Sequence, residues 1–276
     1  MVVRLLHTEL SVSSNLTITT MSRINIRMTT LTALILGCSH AAGSEMYSEP
    51  EIDLNGYNQQ TYGMYNSYPS LIAQNLGYHP MNHAIPGGSN DAMFRIWESF
   101  VNPYSDKVRP DLVIACWTGS ERTEIWDYDN ETWQGLAAGK RAFHALKKDG
   151  SLPEGEYLPH MVSNSNELLA YQKQWVTYHT DRWSGRLNKI KNILALNTMA
   201  ELEEIPVINL ISFESINEFS WPLNVFLPMG NNDFSSWAVK AGFKNTENGH
   251  YFFDAHKMYA KKVVAALDGK YQVSAN

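Results

Sequence analysis

The stretch Leu34-Ile35-Leu36-Gly37-Cys38-Ser39-His40-Ala41-Ala42-Gly43 decides the fold of this chain. An apolar run stops at a glycine and a serine follows two residues later, which is typical of a buried parallel strand that ends in a tight turn. Open α/β sheets bind their ligands at the carboxyl ends of the strands. Ser39 is therefore well placed to act as a nucleophile.

The rest of the chain alternates strand-like and helical patterns. The predicted strands are residues 31–36, 79–84, 111–116 and 205–211. The predicted helices are residues 68–76, 90–100, 166–203 with a break near Ser184-Gly185, and 256–267. Alternation of this kind indicates βαβ units and a parallel sheet. We expect an α/β fold, a three-layer α/β/α domain with a flavodoxin-like sheet in strand order 2-1-3-4-5.

Domain limits follow from composition. Residues 1–28 are rich in Ser and Thr, and we expect a poorly ordered extension before a single domain at 29–276. Residues 125–165 are the least regular part and are interpreted as an insertion, and 214–247 is expected to be mostly loop. Residues 22–38 also fit a lipoprotein signal cleaved before Cys38, but we favour the strand because a catalytic-looking turn follows it.

Bulk properties exclude several classes of protein. The hydrophobic fraction of 44% suffices for a core. The net charge of -6 and the pI of about 5.8 argue against a nucleic-acid partner. The two cysteines, Cys38 and Cys116, are predicted to be buried thiols, and we expect no metal and no organic cofactor. No apolar run reaches the roughly 18 residues of a membrane span. The compartment is left open, with a soluble, cytoplasmic protein favoured over lipoprotein export at Cys38. Its oligomeric state is left open.

A base for Ser39 is predicted near the C-terminus. His250 follows a glycine in a loop, and Glu247 lies three residues before it, close enough to orient the imidazole. His256 is the alternative base. Asp254 is a weak partner for His256, because side chains two residues apart at a helix start point to different faces.

Two more polar clusters follow predicted strands. Residues 82–91 pass through a Gly-Gly turn into a helix, where backbone N–H groups can hold an oxyanion. Residues 116–124 offer hydroxyl donors and the pair Arg122 and Glu124, which we interpret as a structural ion pair. The candidate substrate contacts are His40, Asn90, Thr118 and Arg122. The aromatic residues Trp117, Trp126, Tyr128 and Trp133 suit either sugar stacking or core packing.

These four blocks, in this order, resemble the SGNH (GDSL-like) hydrolase superfamily over residues 29–268. Gly37-Cys38-Ser39 matches the Gly-x-Ser turn, with Cys where Asp is commoner. Gly87 follows Asn82 by five residues, as in the second block, and Glu247-Asn248-Gly249-His250 matches Asp-x-x-His with Glu for Asp. The third block departs from Gly-x-Asn-Asp: Ser120 stands in for the Asn, or Thr118 if the turn is shifted.

The resemblance implies a serine esterase. Ser39 would be the nucleophile, His250 the base and Glu247 its orienting acid. The oxyanion hole would consist of the N–H groups of Ser39 and Gly87 with the Ser120 hydroxyl. The expected substrate is an O-acyl or O-acetyl ester of a carbohydrate or another small polar molecule. The alternatives are a non-catalytic binding or structural module on the same fold, and a thioesterase or acyltransferase that uses the same serine.

Overall fold

Two β-sheets occur in the part of the chain that the computed structural model describes, residues 30–47, 59–120, 122–127, 131–137, 182–213 and 233–267. Their strands are β1 (Thr32–Gly37), β2 (His79–Asn82), β3 (Leu112–Trp117), β4 (Arg122–Asp127), β5 (Thr132–Ala137) and β6 (Val207–Ile211). The central sheet is parallel in the order β2-β1-β3-β6. This order agrees with the first four positions of the expected 2-1-3-4-5, and no fifth parallel strand occurs among the described residues.

Helices cover both faces of the parallel sheet. They are α1 (Ser39–Ala42), α2 (Gln59–Asn66), α3 (Tyr68–Asn75), α4 (Asn90–Val101), α5 (Arg182–Leu202), α6 (Phe234–Lys240) and α7 (Phe253–Ala266). One core joins alternate strand residues such as Ile35 and Ile114 to α3, α6 and α7. The opposite core joins Leu34, Val113 and Trp117 to α4 and α5. The expected three-layer α/β/α class is confirmed, because alternate residues of doubly buried strands feed two separate cores.

One expectation about the helices is wrong. α5 runs without interruption through Ser184-Gly185, where the sequence suggests a break. Gly185 serves close packing instead, because a Cβ there would lie 2.3 Å from the carbonyl oxygen of Ser120. Within the stretch expected to be mostly loop, α6 forms, and the Asp233 side chain caps it by accepting from the Ser236 N–H.

The predicted insertion begins as a β-hairpin. Strands β4 and β5 pair antiparallel, with Trp126 directly opposite Trp133, and an ion pair of Arg95 with Glu124 ties the hairpin to α4. Its remainder at 138–165, the extension at 1–28 and Tyr128 lie outside the described residues. No helix of the described residues is long and apolar enough to cross a membrane.

Candidate active site

Ser39 lies at the carboxyl end of β1, in the centre of the sheet. It is the first residue of α1, and Cys38 precedes it in extended conformation. The turn is tight because Gly37 has no side chain: a Cβ there would lie 2.4 Å from the Ala41 Cβ. The first N–H groups of a helix have no acceptor within the helix, which makes the Ser39 N–H a candidate oxyanion donor.

The second polar loop lies against this turn. The Ile85 N–H donates to the Gly37 carbonyl at 3.0 Å, and the Gly88 N–H returns to the Ile85 carbonyl at 2.8 Å. Between them Gly87 has a φ of 75°, a left-handed conformation that favours glycine. Asn82 links this loop to α1: its Nδ2 donates to the Ala41 carbonyl at 2.9 Å, and its Oδ1 accepts from the Ala84 N–H.

His250 is hydrogen-bonded to a carboxylate, but the carboxylate belongs to Glu45. The distance from His250 Nδ1 to Glu45 Oε2 is 3.0 Å. The same carboxylate accepts from the Thr246 hydroxyl and from the Asn248 amide, both at 2.6 Å. Partial burial alone would raise the pKa of Glu45, but the hydrogen bonds from Thr246, His250 and Asn248 outweigh it and lower that pKa. The expectation that Glu247 makes this contact is therefore corrected.

The residues around His250 explain why Glu45 is the partner. Glu45 lies in the turn that follows α1, six residues after Ser39. The loop of His250 closes on itself through the Thr246 N–H, which donates to the His250 carbonyl at 2.7 Å. Sequence reasoning missed Glu45, and the available signal was Gly43, a helix-ending glycine that turns the chain back toward the nucleophile.

The alternative base, His256, has a structural position. It is 1% exposed on α7, and its Nδ1 accepts from the Tyr68 N–H at 3.1 Å. Burial lowers the pKa of His256 to about 3, so the ring stays neutral and holds α3 against α7. The interpretation of His250 as the base is the one that this geometry favours.

His40 packs behind His250. Their ring centroids are 5.3 Å apart, and the ring of Phe213 lies 4.3 Å from His40 on another side. Both ring nitrogens of His40 are buried without a hydrogen-bond partner among the described residues. Burial, and then electrostatic interactions with His250, His256 and Arg122, hold the pKa of His40 well below its ordinary value. A neutral imidazole therefore forms a wall of the site.

The third block is held from behind by a buried amide. Asn90 Oδ1 accepts from the Thr118 N–H at 3.0 Å, and its Nδ2 donates to the carbonyls of Thr118 and Gly119 at 3.4 and 3.2 Å. Asn90 is 1% exposed, so it is assigned as a positioning residue in place of the predicted substrate contact. Gly185 packs against Ser120 on the other side of the turn.

The hydroxyls of this turn lie in different surroundings. Thr118 is fully buried, and its Oγ1 has no hydrogen-bond partner in the described part of the chain. Ser120 is 8% exposed. Gly37 at the end of β1 is paired with Cys116 of β3. Ser39 and Thr118 each lie two residues after these paired positions, so the turn at 118–120 follows the strand next to β1.

The charged residues near the third block have partners other than the expected ones, and the nearby tryptophans differ in exposure. The predicted ion pair of Glu124 with Arg122 is corrected, because Glu124 binds Arg95, while the Arg122 guanidinium lies 5.5 Å from the Phe213 ring centroid. Trp117 is fully buried and donates to Asn209 Oδ1 at 2.9 Å. Two tryptophans of the hairpin, Trp126 and Trp133, are 37% and 43% exposed, with ring centroids 5.4 Å apart.

Metal ligation is not apparent at this site. Among the described residues, no group of three His, Cys, Asp or Glu side chains is arranged to hold a metal ion. The polar groups on these neighbouring segments include the alcohol of Ser39 and the hydrogen-bonded imidazole and carboxylate of His250 and Glu45. Such groups can carry out acyl transfer through a serine nucleophile.

Comparisons with known proteins give structural matches only. No protein-family model and no curated protein matches the sequence. An acetyl xylan esterase (Est2A) from the rumen bacterium Butyrivibrio proteoclasticus is 12% identical, with a TM-score of 0.41, over 87% of this chain and 64% of that one. An active-site mutant of a family two carbohydrate esterase from Clostridium thermocellum is 14% identical, with a TM-score of 0.35, over 87% and 64%.

A third solved structure is a putative lipolytic protein of the G-D-S-L family from Desulfitobacterium hafniense DCB-2. It is 10% identical, with a TM-score of 0.31, over 86% of this chain and all of that one. The chain thus spans about two thirds of the first two structures. The α/β/α fold of this chain and the roles of its residues therefore rest on its own geometry.

Proposed function

We propose that this protein is a serine esterase that hydrolyses an O-acyl ester through an acyl-serine intermediate. The observation that carries the proposal is the hydrogen bond from His250 Nδ1 to Glu45, beside the turn of Ser39. A carboxylate on Nδ1 fixes the tautomer that leaves Nε2 free to accept a proton. Ring contact between His250 and His40 keeps this imidazole next to the nucleophile turn.

The proposed reaction has two stages, acylation and deacylation of Ser39. The Ser39 hydroxyl attacks the ester carbonyl while His250 Nε2 takes its proton, and Glu45 stabilises the resulting imidazolium. The N–H groups of Ser39 and Gly87, with the Ser120 hydroxyl, stabilise the tetrahedral oxyanion. His250 then protonates the departing alcohol oxygen, which leaves acyl-Ser39. Water attacks this ester with His250 as base, releasing the carboxylic acid and the free Ser39 hydroxyl.

The proposed substrate is an O-acetyl or other short O-acyl group on a carbohydrate or small polar molecule. The exposed pair of Trp126 and Trp133 on the hairpin supports a carbohydrate, because indole faces pack against sugar rings while their N–H groups stay hydrated. No cofactor is proposed, since the serine, histidine and carboxylate supply the nucleophile, the base and its orienting group.

Hydrolysis of p-nitrophenyl acetate by wild type, Ser39→Ala and His250→Ala is the first test. We expect both variants to lose on the order of 10³-fold or more in turnover. In parallel, a fluorophosphonate probe followed by mass spectrometry is expected to label Ser39 in the wild type and not in Ser39→Ala. A folded wild type that neither hydrolyses nor labels would leave the non-catalytic binding module. Release of acetate from acetylated glycans then tests the carbohydrate substrate. Product analysis with an alcohol acceptor present distinguishes hydrolysis from acyl transfer.

A further inference from the structure

Gly63 is a glycine in the interior of a helix, where alanine is intrinsically the better residue. It lies in the middle of α2 and is buried. A Cβ on Gly63 would come within 2.4 Å of the Gly43 carbonyl oxygen, and a Cβ on Gly43 would come within 2.3 Å of the Gly63 carbonyl oxygen. The two backbones therefore touch at a point where neither chain has room for a side chain.

Gly43 belongs to the turn that carries Glu45. Its φ of 69° is left-handed, and its carbonyl accepts from the Met46 N–H at 3.4 Å, which closes the turn around Glu45. The neighbouring Ser44 N–H donates to the Ser39 carbonyl at 2.9 Å, so the same turn is tied to the nucleophile. The oxygen that faces Gly63 is thus the one that closes the turn of Glu45.

Glu45 itself has little freedom. Its φ is 56°, a left-handed conformation that is uncommon for a residue with a side chain. From this backbone its carboxylate accepts hydrogen bonds from Thr246, Asn248 and His250 at 2.6, 2.6 and 3.0 Å. These three residues belong to the loop at 245–251, the base loop. A residue in a sparsely populated conformation keeps it only when its surroundings hold it there. The contact between α2 and Gly43 is one such restraint.

We propose that Gly63 is a positioning residue that aims Glu45 at His250 through the backbone of Gly43. The inference rests on the proposed function, in which Glu45 orients the base. A Cβ at position 63 would push the Gly43 carbonyl away, open the turn and displace the carboxylate from His250 Nδ1. Misplacement of a catalytic unit by about 1 Å is enough to cost on the order of 100-fold in rate.

A double-mutant cycle of Gly63→Ala with Glu45→Gln tests the inference. We expect Gly63→Ala alone to lower kcat on p-nitrophenyl acetate by on the order of 10- to 100-fold with KM nearly unchanged. In the Glu45→Gln background the same substitution is expected to cost less than about twofold, because the group it displaces has already lost its charge. Equal losses in the two backgrounds, or a Gly63→Ala enzyme as active as the wild type, would overturn the proposal.

Gly242→Ala is the matched control. Gly242 also has a left-handed φ, of 78°, but nothing lies within 4 Å of a Cβ built there, so this variant loses stability through backbone strain alone. Its kcat is expected to stay within about twofold of the wild type. If Gly63→Ala does not fold, Tyr62→Leu weakens a neighbouring contact of α2 with the same turn, because it removes the Tyr62 ring that lies 4.7 Å from Tyr47, two residues after Glu45. That variant should lower kcat in the wild type and leave kcat unchanged in Glu45→Gln, and any other pattern counts against the inference.

A measurement without turnover separates this inference from the proposed function. The proton that His250 Nδ1 shares with Glu45 is expected to give a downfield NMR signal in the wild type, which Gly63→Ala weakens or shifts and Gly242→Ala preserves. If the wild type has no esterase activity but the signal responds in this way, the proposed function fails and the positioning role stands. An unchanged signal in folded Gly63→Ala overturns the positioning role, whatever the activity.

Discussion

The base loop and the third-block turn are held in opposite ways. The base loop at 245–251 is fixed by hydrogen bonds from its side chains to the partly exposed carboxylate of Glu45. The turn at 118–120 is fixed by hydrogen bonds to the buried amide of Asn90 and by the close approach of Gly185 to the Ser120 backbone. Charge therefore places the proposed base, and buried hydrogen bonds together with packing place the proposed oxyanion side.

This difference predicts how each region responds to substitution. Loss of a charge in the base loop should affect catalysis far more than folding, because the contacts are near the surface and screened by water. Loss of a buried hydrogen-bonding group behind the third block should affect folding directly, because backbone groups are left unsatisfied away from water.

Glu45→Gln is expected to give the largest effect. The amide keeps the size of the side chain but removes the charge that stabilises the imidazolium, so we expect kcat to fall by on the order of 10³-fold. Thermal unfolding should change little. Steady-state kinetics with p-nitrophenyl acetate, together with the melting temperature, measure the two effects separately.

Glu247→Gln is the comparison that sharpens this result, since Glu247 is the acid that the sequence spacing predicts. It is exposed in the structure, and the carboxylate on Nδ1 is that of Glu45. We expect Glu247→Gln to lower kcat by less than about threefold. A larger loss with Glu247→Gln than with Glu45→Gln would return the acid role to Glu247 and break the contrast between the two regions.

Asn90→Ala is expected to act mainly on stability. It removes the acceptor of the Thr118 N–H and the donor to two carbonyls in a site that is 1% exposed, and each buried group left unsatisfied costs about 1–3 kcal/mol. We expect the free energy of unfolding to fall by about 2–4 kcal/mol in urea titrations. Asn102→Ala is the control, because Asn102 bonds Glu98 on the exposed surface. An Asn90→Ala protein as stable as the control would show that packing alone holds the turn.

The central sheet and the nucleophile turn could be predicted from the sequence because their signals are local. Leu34, Ile35 and Leu36 are buried on both faces of β1, so they form a continuous apolar run, and Gly37 marks its end. By contrast, α2 was missed because its Gln, Asn, Tyr and Gly residues form no apolar stripe. The hairpin was missed because Trp, Gly and charged residues obscure the alternation of β4 and β5.

The acid of the site could not be predicted from spacing. Glu247 lies three residues from His250 in the chain, whereas Glu45 lies 205 residues away and its Oε2 is 3.0 Å from His250 Nδ1. What brings Glu45 there is the left-handed turn at Gly43, which is local, and the contact with Gly63, which is not. The sequence gives the residue types of the site, but the identity of the acid depends on a tertiary contact between two glycines.

The smallest expected effect is the pH dependence of stability that Glu45 contributes. Its pKa is lower in the folded protein than the ordinary value of 4.5, because the hydrogen bonds of the base loop favour the charged form. A depressed carboxyl pKa stabilises the folded state above pH 4.5, and this contribution disappears as the pH falls through the folded-state pKa. Since the side chain is 35% exposed, screening by solvent keeps the contribution to about 0.5 kcal/mol.

The stability difference between wild type and Glu45→Gln, measured by urea unfolding from pH 7 to pH 3, should therefore be small at pH 7 and vanish at the acid end. A difference that grows on acidification would mean that the base loop is held by contacts other than the charge of Glu45.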